Sequence, residues 1–112
     1  MPARPFAPLL AALALAVVGG AALAAEPEVA LVIKNNRFEP AELKVPAGQR
    51  VKLVVHNQDG TPEEFESHEL NREKVIPGGA KATIFIGPLK PGRYPFYGEY
   101  HEATAKGTVV AE

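Results

Sequence analysis

The chain of 112 residues contains no cysteine, and its single methionine is Met1. Disulfide bonds, thiolate ligands, cysteine-rich zinc sites and iron–sulfur clusters are therefore excluded. Lys and Arg form no run or stripe, so the sequence does not support binding to a nucleic acid. Any metal chemistry of this chain must depend on oxygen and nitrogen side chains.

The N-terminal segment has the composition of a secretory signal peptide. Arg4 is the only charged residue before Glu26, and the apolar run over residues 6–24 ends in a small-x-small cleavage site, Ala-Leu-Ala. We expect a signal peptide at 1–24, a domain at 25–112 and a periplasmic location. A transmembrane anchor is the alternative, because the apolar run is long enough to span a bilayer.

The remaining chain consists of short apolar segments separated by turns that contain Pro, Gly or Asn. Alternation with a period of two residues is clearest near Val51, Leu53 and Val55, which share one face of a strand. No segment has sustained helical periodicity. The predicted strands are 28–34, 41–45, 50–57, 63–70, 74–76, 80–86, 93–97 and 106–111.

Seven or eight short strands at spacings of about 10 residues predict an all-β fold. We expect an antiparallel β-sandwich with Greek-key connections. Composition alone does not separate this fold from an immunoglobulin-like sandwich.

Four motifs, in this order, resemble those of the cupredoxins, the small β-sandwich copper proteins. They are Phe38-Glu39-Pro40, Val-Pro-Ala-Gly-Gln at 45–49, His56-Asn57 at the end of a strand, and Pro-Gly-x-Tyr-x-Phe at 91–96. The resemblance covers nearly all of the expected domain. It implies a cupredoxin-like Greek-key sandwich.

The metal ligands of that family are largely replaced in this chain. His101 stands at the position of the family's second histidine, but Gly98 stands at its cysteine, and Glu63 or Glu64 at its first histidine. The methionine region reads Ala103-Thr104-Ala105. A blue-copper centre needs two histidines and a thiolate with a weak axial ligand. We therefore reject blue-copper electron transfer.

Three further segments resemble a narrower group. Glu63–Ser67, Arg72–Gly79 and Gly98–His101 are similar to the periplasmic cupredoxin-like (FtrB-like) proteins of bacterial ferrous-iron uptake and to the N-terminal cupredoxin domain of the EfeO-type iron-binding protein. The resemblance implies that the chain handles Fe(II) beside an iron permease or another periplasmic uptake component, and that it meets the membrane only through a partner. Assistance to Fe(II) oxidation is left open. A metal-free module that docks on a membrane partner and a Cu(II) carrier are the alternatives.

Carboxylates surround the remaining histidine of the family site. Five lie between Asp59 and Glu69 with no Lys or Arg among them, and two more flank His101. In the expected fold both loops lie at one end of the sandwich, and such oxygen and nitrogen ligands suit iron, Mn(II) or tetragonal Cu(II). We predict a non-blue iron or copper site with ligands among Glu63, Glu64, Glu66, Glu99 and His101.

Alternation along residues 63–68 places the even-numbered side chains, including His68 as a further candidate, on one face of the strand and the odd-numbered ones on the other. The sequence does not say which face meets the loop that contains His101, which we call the histidine loop. A solvated acidic face that binds no metal is the alternative interpretation of the same residues.

Overall fold

The computed structural model describes residues 26–112, so the predicted signal peptide at 1–24 lies outside the described residues. The described part contains nine strands and a short 3-10 helix, η1. They are β1 (Glu28–Lys34), β2 (Arg37–Glu39), β3 (Glu42–Val45), β4 (Val51–Asn57), β5 (Glu63–Ser67), β6 (Arg72–Ile76), β7 (Lys81–Ile86), β8 (Gly92–Gly98), η1 (Glu99–His101) and β9 (Lys106–Ala111). Within this part of the chain, no helix is long and apolar enough to cross a membrane.

The strands form two sheets that enclose one apolar core. One sheet has the order β2-β1-β4-β7 and the other the order β3-β9-β8-β5-β6. The predicted all-β sandwich of cupredoxin type is confirmed. The expectation of a wholly antiparallel arrangement is wrong, because β1 pairs with β4 and β3 pairs with β9 in parallel. In both pairs the partners lie in the same sheet but are not consecutive in the chain.

Strand β2 is the element that the sequence did not predict. Asn35 and Asn36 form a two-residue connection between β1 and β2, and both have positive φ, 55° and 56°. A type I′ hairpin turn requires positive φ at both central residues, and Asn tolerates this conformation. A strand of three residues is too short to show alternation. The pair Asn-Asn therefore marks a hairpin as well as the end of β1.

The strand predicted at 63–70 ends at Ser67, three residues earlier. The Ser67 hydroxyl accepts a hydrogen bond from the Leu70 N–H at 3.1 Å, and Asn71, with φ of 54°, donates its N–H to the His68 carbonyl at 3.0 Å. These local bonds close a four-residue turn into β6, since Ser67 pairs with Arg72. A side chain that satisfies the backbone in this way competes with continuation of the strand.

Three aromatic rings occupy the centre of the core. Phe65 and Phe96 stack with ring centroids 5.0 Å apart, and Phe38 meets their edges at 6.1 and 4.9 Å. All three are at most 3% exposed. Phe65 is thus anchored among residues of both sheets and holds the direction of β5.

Asn57 fixes the loop that leads into β5. Its side chain is fully buried, and its Nδ2 donates to the carbonyls of Thr61 at 2.9 Å and Ile76 at 3.0 Å, while its Oδ1 accepts the Asp59 N–H at 3.0 Å. A buried amide with these partners pays no unsatisfied-polar penalty. The entry point of β5 is therefore tied to the end of β6.

Replacement of Phe65 by Ala should lower the free energy of unfolding by about 3–5 kcal/mol, because it removes a buried ring from the aromatic cluster. The measurement is urea denaturation. Val75→Thr is the control: Val75 lies on neighbouring β6 and is 45% exposed, so the change should stay within about 0.5 kcal/mol. Equal effects of the two substitutions would contradict the assignment of Phe65 to the core.

Candidate functional site

Strand β5 divides the predicted ligands between two environments. Along it, Glu63, Phe65 and Ser67 are buried, whereas Glu64 and Glu66 lie on the other face and are half-buried. The alternation expected from the sequence therefore holds. It is the Glu63 face that meets η1 from inside the sandwich.

Glu63 and His101 form a hydrogen-bonded pair on the core side of β5, where the strand meets η1. We call this place the inner end of the sandwich. Glu63 is 1% exposed, and its Oε2 lies 2.6 Å from Nδ1 of His101. Its other oxygen, Oε1, accepts the backbone N–H groups of Tyr100 at 2.9 Å and of Glu64 at 3.0 Å. A buried carboxylate is tolerated only when it is paired in this way. Because Nδ1 faces Glu63, Nε2 is the nitrogen of His101 left to bind a ligand.

Backbone hydrogen bonds connect Ala105, which follows η1, to residues at both ends of that helix. Ala105 donates its N–H to the His101 carbonyl at 2.8 Å, and Gly98 donates to the Ala105 carbonyl at the same distance. The Thr104 hydroxyl donates to the Asn36 carbonyl at 2.6 Å, which ties this segment to the β1–β2 hairpin. His101 thus sits in a segment held at both ends.

Three of the predicted ligands meet on the outer face of the five-stranded sheet. One carboxylate oxygen each from Glu64, Glu66 and Glu99 lies within 4.8 Å of the others. We call these three residues the outer carboxylate cluster. The five predicted ligands thus fall into two groups on opposite sides of β5. The ligand set stays a prediction.

Two residues outside the predicted ligand set border this cluster. Glu73 on β6 pairs with Glu66, and Tyr97 on β8 pairs with Glu66 from the other side. The signal that would have found Glu73 is the register of the β5–β6 hairpin, which depends on the four-residue turn. Unless the turn is predicted, nothing in the sequence indicates that Glu73 lies beside Glu66 in space.

The carboxylates of the outer cluster repel one another. A hydrogen bond with Glu99, partial desolvation and the charges of Glu99, Glu66 and Glu73 raise the pKa of Glu64 from 4.5 to about 7. Desolvation, followed by the charge of Glu73, raises the pKa of Glu66 as well. Within residues 26–112, no Lys or Arg nitrogen lies within 4 Å of these three carboxylates. Protons or a cation must therefore relieve the crowding.

The phenol of Tyr97 is held in its neutral form. Desolvation, and then the charges of Glu66 and Glu102, raise its pKa. A neutral phenol can donate a hydrogen bond towards the carboxylates or accept one from water.

Other acidic and imidazole groups of the two loops have separate positions. Asp59 accepts the N–H groups of Asn35 at 2.8 Å and Asn36 at 2.9 Å, so it stabilises the β1–β2 turn. His68 and Glu69 lie in the exposed turn after β5, at the far end of the strand from Glu63. His68, a further candidate from the sequence, is therefore distant from the histidine loop.

A cluster of three carboxylates without a basic partner can take a hard or borderline divalent cation through oxygen atoms. The residues provide no soft ligand. They also leave coordination positions open, since three protein oxygens do not complete an octahedral shell. Such a site suits a metal ion that is bound and released.

Comparison with known proteins agrees with this fold. A family model described as a cupredoxin-like domain matches residues 7–111. The chain is 42% identical over 83 residues to the uncharacterized protein RP394 of Rickettsia prowazekii (strain Madrid E), a match that covers 74% of this chain and 66% of that protein. The matched part is thus just under two thirds of that relative's length.

Two solved structures show the same architecture. Auracyanin A, a "blue" copper protein from Chloroflexus aurantiacus, superimposes with a TM-score of 0.68 at 15% identity over 79% of this chain and 100% of its own. The metal-binding domain of the Cu(I) exporting P-type ATPase CopA of Streptococcus pneumoniae D39 gives 0.63 at 17% identity, covering 76% and 84%. At these identities the likeness establishes the fold alone.

The residues present do not fit a blue-copper centre. No cysteine exists in the chain, which agrees with a non-blue site. The space beside Gly98 is also filled: a Cβ atom added there would lie 2.6 Å from Cδ of Glu63 and 2.8 Å from Cβ of Ala105. Real Cβ atoms do not approach neighbours so closely. A side chain at this position would have to displace the Glu63 carboxylate.

Gly98→Ala should destabilise the protein by about 1–3 kcal/mol through overpacking against Glu63 and Ala105. Chemical denaturation measures the effect. Gly60→Ala is a matched control, because a Cβ atom at Gly60 meets no atom within 4 Å. A Gly98→Ala variant as stable as Gly60→Ala would show that the space beside Gly98 is open.

Stability should fall as the pH rises through the interval in which Glu64 ionises. The folded protein keeps the Glu64 proton to about pH 7, whereas the unfolded chain loses it near pH 4.5. The folded state therefore binds more protons between these values, so the free energy of unfolding decreases with rising pH. Thermal melts from about pH 4.5 to about pH 7 at low salt should show a smaller decline for Glu64→Gln than for wild type. An identical decline in both would contradict the raised pKa.

Proposed function

The chain belongs to the cupredoxin-like domain family, and on that premise we propose that it is a periplasmic metal-binding protein of ferrous-iron uptake. Its cargo is a divalent metal ion, with Fe(II) as the first candidate, bound by the outer carboxylate cluster. The observation that carries the proposal is the meeting of Glu64, Glu66 and Glu99 within 4.8 Å. No cation of the described chain neutralises them.

The chemistry of the ligands supports iron over a soft metal. Carboxylate oxygens suit Fe(II), Mn(II) and tetragonal Cu(II), whereas thiolate and thioether ligands select Cu(I). Residues 25–112 contain neither Cys nor Met. Cu(II) binds tightly to almost any such site by the Irving–Williams order, so affinity for Cu(II) in vitro does not by itself identify the cargo.

The periplasmic location and the partner come from the sequence. The signal-like segment at 1–24 supports export, and the motifs at Glu63–Ser67 and Arg72–Gly79 resemble those of ferrous-iron uptake proteins. The proposed partner is an iron permease, to which the chain presents the ion. Oxidation of Fe(II) needs an electron acceptor, either bound Cu(II), oxygen or a partner protein. The role proposed for this chain is therefore to bind and present the ion.

A Cu(II) carrier is the second candidate. It is supported by the cupredoxin-like fold itself, since auracyanin A is a "blue" copper protein and the CopA domain belongs to a Cu(I) exporter. The same carboxylates would then hold Cu(II) in a non-blue site. Dependence of growth on iron or on copper supply separates the two candidates in a strain that lacks the protein.

Anaerobic calorimetric titration of the purified protein with Fe(II), Mn(II) and Cu(II) tests the site. Glu64→Gln and Glu99→Gln should each weaken binding at least about tenfold, because affinity in oxygen-ligand sites depends on the number of charged ligands. Glu69→Gln is the matched control: it removes the same charge from the nearby turn and should leave affinity unchanged. Equal affinities in wild type, Glu64→Gln and Glu99→Gln would refute the cluster as the site.

Electron paramagnetic resonance of the Cu(II)-loaded protein examines His101, a predicted ligand outside the cluster. His101→Gln should alter the Cu(II) electron paramagnetic resonance spectrum only if Nε2 of His101 is a ligand. Absence of binding at micromolar concentrations, together with specific capture of the permease, would instead favour the metal-free docking module.

A further inference from the structure

Glu63 reaches two positions that hold metal ligands in the copper proteins, and Glu63 or Glu64 stands at their first histidine. Glu63 enters the inner end of the sandwich beside Gly98, at the cysteine position, and its Oε2 lies 2.6 Å from Nδ1 of His101, at the second histidine position. These ligand positions are thus joined through one carboxylate. The joining atoms are already in van der Waals contact or hydrogen bonded.

Both oxygens of the Glu63 carboxylate already have hydrogen-bond partners within the protein. Oε1 accepts two backbone N–H groups, and Oε2 faces His101. The side chain of Glu63 is 2% exposed and that of His101 is 29% exposed. A metal ion at the inner end would have to break the short His101 contact and expel a carboxylate that fills the space beside Gly98.

The same bonds connect two chain segments that are distant in sequence. Glu63 begins β5, and Tyr100 and His101 belong to η1, which follows β8. A metal ion bound by residues of both segments would provide this connection in a holoprotein. Here hydrogen bonds to a charged acceptor provide it, and such bonds are stronger than neutral ones.

We propose that Glu63 replaces the metal ion at the inner end of the sandwich: it links β5 to η1, closes this position to metal ions and keeps the histidine loop ordered in the metal-free protein. The proposal does not depend on the outer carboxylate cluster, which lies on the opposite face of β5. Either can hold without the other.

Amide hydrogen exchange, measured residue by residue in the protein after chelator treatment, tests the link. In wild type the N–H groups of Tyr100 and Ala105 should be protected without any added metal. Glu63→Ala should accelerate exchange at Tyr100 at least about tenfold, since a hydrogen bond to a charged group is lost. Glu69→Gln, which removes a carboxylate from the exposed turn after β5, should have no such effect.

Protection at Leu53 and Ile84, in the core of the other sheet, reports whether Glu63→Ala is still folded. If it is not, Glu63→Gln keeps one acceptor oxygen and should show a smaller acceleration at Tyr100. Loss of protection throughout the histidine loop of metal-free wild type, restored by metal, would overturn the proposal.

A second test is to remove the Glu63 carboxylate and supply metal ligands at the inner end of the sandwich. The double variant Glu63→His/Gly98→Cys places a thiolate and a second imidazole beside His101, and should give a thiolate-to-Cu(II) charge-transfer band on addition of Cu(II). Gly98→Cys alone should give little of this band, because the Glu63 carboxylate still fills the space. A band of equal strength in Gly98→Cys alone would show that the position is open with Glu63 in place. If these variants do not fold, the exchange measurements decide.

Discussion

The hydrogen bonds of the buried Glu63 carboxylate are the constraint on which the functional end of this sandwich depends. They fix where β5 begins, since one of them returns to the N–H of Glu64, the next residue. They also fix η1 through Tyr100 and His101. Once Glu63 points inwards, the pleat of the strand requires Glu64 and Glu66 to point outwards. The outward position of both carboxylates that β5 contributes to the outer cluster follows from that one choice.

Strand β5 thereby separates two groups of carboxylates that lie in different electrostatic environments. On the inner face, a carboxylate is desolvated but fully paired, which is how proteins tolerate a buried charge. On the outer face, carboxylates are better solvated but crowd one another without a basic neighbour. The inner group is suited to holding the structure together. The outer group has no basic side chain beside it, which suits reversible binding of a cation.

Much of this was predictable from the sequence, and the exceptions have physical reasons. Alternation correctly grouped Glu64 with Glu66, and the cupredoxin-like motifs gave the fold. The direction in which Glu63 points was not predictable, because a buried Glu is rare and depends on partners far along the chain. The proximity of Glu73 depended on the exact residues of a four-residue turn. Strand β2 was missed because three residues carry no period.

The pairing of β9 between β3 and β8 has a consequence for how the chain reaches its native state. Residues 106–111 form the strand between β3 and β8, so β3 has no partner in this sheet and β8 has only β5 until these residues have paired. Contacts between such distant segments form slowly, because a long loop must close first. A chain without residues 106–111 therefore cannot complete this sheet. Because β9 follows the other strands of its sheet in sequence, its pairing is the step that joins β3 to the remaining strands.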